Sequence, residues 1–313
     1  MKSLKKITFT ILPLLLGVFL IYKSFDLLTA EQFEKVKLHF KNAHYQYILL
    51  SLLFMKLSQA SRAIRWSYAI QHLGYKTNFI ANFIAISIGY MVNLTIPRSG
   101  EISRALILKK HKNIPFDKAF GTIVAERIVD FILLATLCFT GLLLNYKLLY
   151  QFALQFINIR QLSLLLTITA IIGITILYFL LKTKKVRKFF NGFIEGLYSI
   201  LKMKKRMPFI LHSLFIWVAF ILSFYFGTLA IDGTSQLSAN AILASFITGS
   251  IVISFTNGGI GAFPLLIGQI LLSYHIPLED GTAFGWLLWS SQTLLVILLG
   301  AISLLYLSIF SKK

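Results

Sequence analysis

Residues 93–130 read NLTIPRSGEISRALILKKHKNIPFDKAFGTIVAERIVD, and this stretch decides how the chain is interpreted. Six of its ionisable side chains fall in helices predicted to lie in or beside the membrane, although apolar segments lie on both sides of the stretch: Arg98, Glu101, Arg104, Glu126, Arg127 and Asp130. A charge at the centre of a bilayer costs about 2.5–3.5 kcal/mol on insertion scales. Proteins that retain charges in the membrane pair them with one another, direct them to a wet cavity or use them to bind a substrate. The stretch therefore predicts a polar site inside a membrane protein.

The composition of the whole chain is also that of a membrane protein. Of 313 residues, 57% are hydrophobic and 13% are charged, whereas a soluble domain has about 25% charged residues. Repeated apolar runs of the length that spans a bilayer predict an all-α, polytopic membrane protein. The net charge of +20 lies mainly in short loops, which indicates a positive-inside bias and not a nucleic-acid partner. No spacing of His or Cys predicts a metal, a cofactor or a catalytic nucleophile.

We expect one integral membrane domain over residues 1–313, with six full spans. They are predicted near residues 7–24, 46–70, 118–144, 161–181, 208–231 and 283–309. The first apolar run follows a basic end and lacks a convincing cleavage site, so it is interpreted as an uncleaved span. The basic loop 182–207 and the Lys312–Lys313 end place both termini in the cytoplasm and the protein in the cytoplasmic (inner) membrane.

Two further apolar segments are interrupted, and each predicts a re-entrant hairpin. Residues 79–96 are followed by Pro97 and Gly100, then by an apolar helix at 102–108 and the basic cluster 109–112. A full crossing would put that cluster outside, so we expect a hairpin that opens to the cytoplasm. A second break interrupts residues 239–274 and is predicted to open outside. Its break or hinge residues are Asn257, Gly258, Gly259, Gly261 and Pro264.

Two other segments carry charge near the membrane. Arg62 and Arg65 close the second span, and with Trp66 they predict its cytoplasmic interface. Residues 25–45 mix acids and lysines, which suits an external loop or an interfacial helix. The acids Glu279 and Asp280 are assigned to a second external loop, 275–282.

The pattern N-x3-P-x-R-x-G-E-x2-R, followed by E-R-x2-D, resembles one family. The pattern falls on Asn93, Pro97, Arg98, Gly100, Glu101, Arg104, Glu126, Arg127 and Asp130. It is similar to the transmembrane, flippase-like part of the lysylphosphatidylglycerol synthase family, whose later G-G-x-G break matches Gly258, Gly259 and Gly261. The resemblance covers nearly the whole chain. It implies a stand-alone membrane domain, without the aminoacyl-transfer domain, that translocates lipid. In the family's second break, a proline usually stands where this chain has Asn257.

The charged residues suit a lipid phosphate. Guanidinium groups bind phosphate oxygens in a bidentate way and stay charged when partly buried. Opposed broken helices are typical of transporters whose substrate site lies at the breaks. The candidate substrate-binding residues are Asn93, Arg98, Glu101, Arg104, Glu126, Arg127 and Asp130, and the ion pairs among them could equally be structural.

We therefore expect a flippase-like protein, not an enzyme, that moves a phospholipid or a polyprenyl-phosphate-linked lipid between leaflets. Two alternatives stay open: a membrane-embedded lipid-phosphate transferase, and a non-transporting partner in envelope lipid synthesis. The expected protein partner is a second copy of the chain or an enzyme of lipid synthesis.

Overall fold

In the computed structural model, residues 15–96, 99–146 and 200–310 are described, and every regular element among them is a helix. The predicted span 161–181 and much of the loop 182–207 lie outside these ranges, as do residues 7–14. The helices are α1 (residues 15–26), α2 (Ala30–Asn42), α3 (Tyr45–His72), α4 (Phe79–Thr95), α5 (Ser99–Lys112), α6 (Phe116–Leu144), α7 (Arg206–Thr228), α8 (Asp232–Ser235), α9 (Ala239–Phe255), α10 (Ala262–Leu272) and α11 (Leu278–Phe310). The predicted all-α fold is confirmed.

Among the described residues, three helices are long and apolar enough to cross a bilayer: α6 with 29 residues, α7 with 23 and α11 with 33. About 20 residues suffice for the hydrocarbon core. Helix α3 has 28 residues and coincides with the predicted span 46–70. The chain is thus a multi-pass membrane protein.

By packing, the chain forms two compact units, Met1–Ile123 with Lys204–Lys313, and Val124–Met203. In the first unit, α3 and α7 pack antiparallel. The Ser51 and Ser223 hydroxyls lie 3.0 Å apart towards one end, and Arg65 Nη1 donates to Ser213 Oγ at 3.0 Å towards the other. Hydrogen bonds between polar side chains are one of the ways in which helices associate in lipid.

The first hairpin consists of α4 and α5. Helix α4 runs antiparallel to α3, since Gln59 Nε2 donates to Ser87 Oγ at 2.7 Å and Asn82 Nδ2 donates to the Ala63 carbonyl at 3.1 Å. Helix α4 therefore begins at the end of the molecule where α3 finishes. It reaches its tip near Thr95, and α5 returns along it.

The second hairpin consists of α9 and α10 and enters from the opposite end. Because α7 is antiparallel to α3, α9 begins at the end of the molecule where α3 begins. Its partner α10 packs antiparallel on α11: Gly268 lies against Gly281, and Pro264 against Gly285. Two opposed helical hairpins are the architecture that the sequence predicts.

Two helix boundaries differ from the prediction, in each case because a first turn is better satisfied than expected. Helix α5 begins at Ser99 and not at 102, and its Gly100 N–H is capped by the Asn93 side chain. Helix α11 begins at Leu278, so Glu279 and Asp280 are helical and not in a loop. Acidic side chains in a first turn stabilise the positive end of the helix dipole.

Candidate functional site

The two hairpins meet tip to tip. The Leu94 side chain, near the end of α4, rests on the second break so closely that a methyl group on Gly258 would lie 2.6 Å from Leu94 Cδ2. The Gly258 carbonyl accepts a hydrogen bond of 2.8 Å from Trp289 Nε1, part-way along α11. We call this meeting point, formed by residues 93–96, 99–101 and 256–261, the tip junction.

The second break is built from glycine backbone conformations. Gly258, Gly259 and Gly261 have φ values of 62°, 82° and 67°, in the left-handed region, which glycine adopts without steric cost. Thr256 Oγ1 accepts the Gly259 N–H at 3.0 Å and so closes the turn. Pro264 lies beyond this break, in the first turn of α10, where a missing N–H is tolerated.

The first tip is stabilised by its own side chains. Asn93 Oδ1 accepts the Gly100 N–H at 2.7 Å, so this amide satisfies one of the unbonded donors at the start of α5. Glu101 lies in the first turn of α5 and is half-buried. Pro97 and Arg98, the predicted centre of the break, lie outside the described residues.

Asn257 places an amide side chain in the second break. It is buried, and within the described part of the chain neither its Oδ1 nor its Nδ2 has a hydrogen-bond partner. Burying an amide without a partner costs about 1–3 kcal/mol by protein mutational data. The tip junction therefore keeps a polar group at a cost in stability.

Arginines packed beside the first hairpin are more deeply buried than the sequence suggested. Arg104 is 2% exposed, and its guanidinium carbon lies 4.2 Å from the centre of the Trp66 ring. Trp66 is itself fully buried and donates from Nε1 to Thr122 Oγ1 at 2.9 Å. Arg62 and Arg65 are 3% and 0% exposed. These two arginines and Trp66 therefore pack between helices, and their position at the cytoplasmic interface of the membrane stays a prediction.

A repeat along α3 could have identified these buried residues. Gln59, Arg62, Trp66 and Ala69 recur at intervals of three or four, and such residues share one face of a helix. All four are buried. The charge of the arginines suggested an interface, whereas the spacing indicates a face that packs against other helices.

The remaining predicted site residues lie on α6, in the second unit. Glu126 and Asp130 are buried. Arg127 Nη1 lies 3.5 Å from Asp130 Oδ2, and its side chain is 41% exposed. The i, i+3 spacing that sequence reasoning used for this pair therefore brings the two side chains together.

The fold and the site together define a class of protein. It is a helical membrane protein with two opposed, interrupted hairpins that meet at their tips. The chain belongs to the family described as the lysylphosphatidylglycerol synthase transmembrane region, whose profile matches residues 10–300. The resemblance inferred from the motif around Pro97 and Glu126 is thus confirmed.

Relatives with long matches are stand-alone membrane proteins. The UPF0104 membrane protein MJ1595 of Methanocaldococcus jannaschii is 26% identical over 298 residues, which cover 84% of this chain and 85% of that protein. The UPF0104 membrane protein PH1989 of Pyrococcus horikoshii is 25% identical, with 75% and 79% covered. The glycosyltransferase AglD of Haloferax volcanii matches over 79 residues at 35% identity, or 24% of this chain and 12% of that protein. No solved structure matches the chain.

Proposed function

We propose that this protein moves an anionic lipid between membrane leaflets and does not change it chemically. The observation that carries the proposal is the tip junction, where two helical hairpins that enter the first unit from opposite ends meet. Transporters built on opposed broken helices place their substrate sites at the breaks, where irregular backbone is sheltered. Membership in a family named for a lipid-modifying synthase supports a lipid as the substrate.

The phosphate of the lipid is the group that the arginines would recognise. Arg127 is the accessible candidate among the described arginines of the predicted site, since 41% of its side chain is exposed. Asp130, 3.5 Å away, would hold that guanidinium in place until a phosphate competes for it. Arg104 is buried beneath Trp66, so its proposed role is to position the first hairpin.

The proposal does not specify which class of anionic lipid is moved. Phospholipids and polyprenyl-phosphate-linked lipids share the phosphate that guanidinium groups bind. The partial match to a protein named a glycosyltransferase is the reason to test a polyprenyl-phosphate-linked sugar beside a glycerophospholipid.

The test is translocation in proteoliposomes. Purified protein is reconstituted with fluorescent phosphatidylglycerol or with a fluorescent polyprenyl-phosphate sugar, and inward or outward movement is followed by quenching of the outer leaflet. Arg127→Gln should slow movement about 10- to 100-fold, the loss expected when one charge-assisted contact is removed. Lys110→Gln, at the exposed basic end of α5, is the matched control and should keep the wild-type rate.

Three results would overturn the proposal. Rates equal to those of protein-free liposomes for both lipids would leave a non-transporting partner as the better interpretation. A new lipid product found by mass spectrometry would favour the transferase. Equal slowing by Arg127→Gln and Lys110→Gln would show that surface charge, and not a phosphate contact, sets the rate.

A further inference from the structure

The side chain of Asn257 differs from the other hydrogen-bond acceptors of the second break, which all have partners. Every backbone carbonyl of residues 256–261 accepts a hydrogen bond, and the Thr256 hydroxyl both donates and accepts one. The Asn257 amide is 3% exposed, and among the described residues neither its Oδ1 nor its Nδ2 has a partner. Because buried polar groups in native proteins are nearly always hydrogen-bonded, this exception calls for a physical reason.

The surroundings of the break give the amide nothing to bond to within the described residues. The side chains that lie nearest to Gly258 and Gly259 are those of Leu94, Ile253, Phe263 and Trp289. Three of them are apolar, and the Trp289 N–H already donates to the Gly258 carbonyl. Residues 256–264 read TNGGIGAFP and include no ionisable side chain. The second break therefore presents an uncharged polar group among apolar neighbours.

The two unbonded atoms of the amide restrict the chemistry of a ligand. Nδ2 donates hydrogen bonds and Oδ1 accepts them. A phosphate or a carboxylate only accepts, so it would satisfy Nδ2 and leave Oδ1 unbonded, and a cation would do the reverse. A hydroxyl group both donates and accepts. One hydroxyl, or two on adjacent carbon atoms, therefore satisfies both atoms of the amide.

We propose that Asn257 binds a hydroxyl group of the lipid headgroup, and that the tip junction thereby selects phosphodiester lipids whose headgroups carry hydroxyls. The role of Asn257 rests on the proposed function, because it takes a lipid as the ligand of the tip junction. Recognition is then divided by chemistry: guanidinium groups bind the phosphate, and the uncharged second break binds the hydroxyl. Glycerol and sugar headgroups both offer this group.

Comparison with the amides of the first hairpin supports a role in binding. Asn82 Nδ2 donates to the Ala63 carbonyl and to Thr77 Oγ1, and Asn93 Oδ1 accepts the Gly100 N–H. These two side chains stabilise the fold through bonds within the protein. An amide that is unfavourable in the empty protein and satisfied by a ligand instead strengthens binding, because the complex removes the cost of the unbonded group.

The test compares two lipids that differ in the hydroxyls of the headgroup. Dihexanoyl phosphatidylglycerol and dihexanoyl phosphatidylpropanol have the same charge and the same carbon skeleton, but the headgroup of the second has no hydroxyl. Binding to the full chain in detergent is measured from the rise in melting temperature with lipid concentration. The wild type should bind phosphatidylglycerol about tenfold more tightly, the difference expected for one or two hydrogen bonds to a neutral amide.

A second pair of lipids distinguishes a sugar hydroxyl from a glycerol hydroxyl. Short-chain prenyl-phosphate mannose and prenyl methyl phosphate again have equal charge, and only the first carries hydroxyls. A preference of about tenfold within either pair supports the role of Asn257, and the pair with the larger preference identifies the headgroup.

Substitutions at Asn257 determine whether its amide is responsible. Asn257→Leu and Asn257→Ala should each abolish the preference and leave the affinity for the lipid without hydroxyls unchanged. Two replacements of different size separate the loss of the amide from a change in volume. Ser245→Ala is the matched control, since the Ser245 hydroxyl is also buried and without a partner among the described residues but lies within α9, about three turns before the break. It should keep the wild-type preference.

Two results would overturn the role of Asn257. Equal affinities within both lipid pairs in the wild type would mean that the amide holds an ordered water only, and a preference that survives in both Asn257 variants would assign it to other residues. Proteoliposome measurements separate this role from the proposed function. Lipid movement without a hydroxyl preference contradicts the role of Asn257 alone, and a preference that the variants abolish, without lipid movement, contradicts the proposed function alone.

Discussion

The contact between α4 and α5 makes a quantitative prediction for Gly100→Ala. A methyl group there would collide with the Gly89 carbonyl oxygen and would lie 2.7 Å from Asn93 Nδ2, against about 3.4 Å for an ordinary contact. The two helices must therefore separate by roughly 0.7 Å or more, which for an overpacked core costs about 1–3 kcal/mol. The hydrogen bond from Gly100 N–H to Asn93 would be strained as well, at about 1 kcal/mol.

We therefore expect Gly100→Ala to lose about 2–4 kcal/mol of stability. At about 2–4 °C per kcal/mol, the melting temperature in detergent should fall by roughly 4–16 °C. Gly121→Ala is the matched control, because Gly121 is also helical but, within the described residues, no atom beyond its own stretch of helix lies within 4 Å of the added methyl group. That variant should be neutral or up to about 1 kcal/mol more stable. If both variants melt within a degree of the wild type, α4 and α5 do not pack backbone to backbone.

Three further substitutions test the tip junction and its support by melting temperature. Gly261→Ala should cost more than Gly74→Ala. Both glycines have positive φ, which costs an alanine about 1–2 kcal/mol. An added methyl group meets no described atom within 4 Å at Gly74, whereas at Gly261 it would collide with the α1 backbone. Asn257→Leu should be neutral or stabilising, because its amide has no partner within the described residues, whereas Asn82→Leu should destabilise by about 2–4 kcal/mol because two hydrogen bonds are lost. Trp66→Phe should cost about 1–2 kcal/mol through the lost indole hydrogen bond and a weaker cation–π contact.

The placement of the long helices and of the two breaks could be predicted from sequence because it depends on local properties. Apolar length identifies α7 and α11, and the glycines of residues 258–261 end α9 wherever that helix lies. The basic cluster at 109–112 also predicted the direction of the first hairpin, since a full crossing would have put this cluster on the outer side of the membrane. These signals need no knowledge of which helices touch.

The burial of individual charged side chains within the protein could not be predicted in the same way. Arg62 lies near the end of a predicted span, and hydropathy alone assigns such a residue to the interface, whereas Arg104 was predicted to bind substrate in the polar site. The burial of Arg104 and of Arg65 depends on helices that are distant in sequence. Trp66 of α3 covers the guanidinium of Arg104 of α5, and Arg65 donates a hydrogen bond to Ser213 of α7. Side chains can be assigned to one face of a helix by spacing, but the partner of that face is a tertiary property.

Helix α11 shows why the tip junction has a fixed register. Both hairpins pack on this one helix at small residues: a methyl group on Gly285 would lie 2.8 Å from Pro264 Cα, and one on Gly300 would lie 2.6 Å from Met91 Cβ. Between these two contacts, Trp289 donates its hydrogen bond to the second break. Lipid supplies no hydrophobic force between helices, so close approach at small residues is what holds such helices together. A larger residue at either glycine should therefore separate the tips.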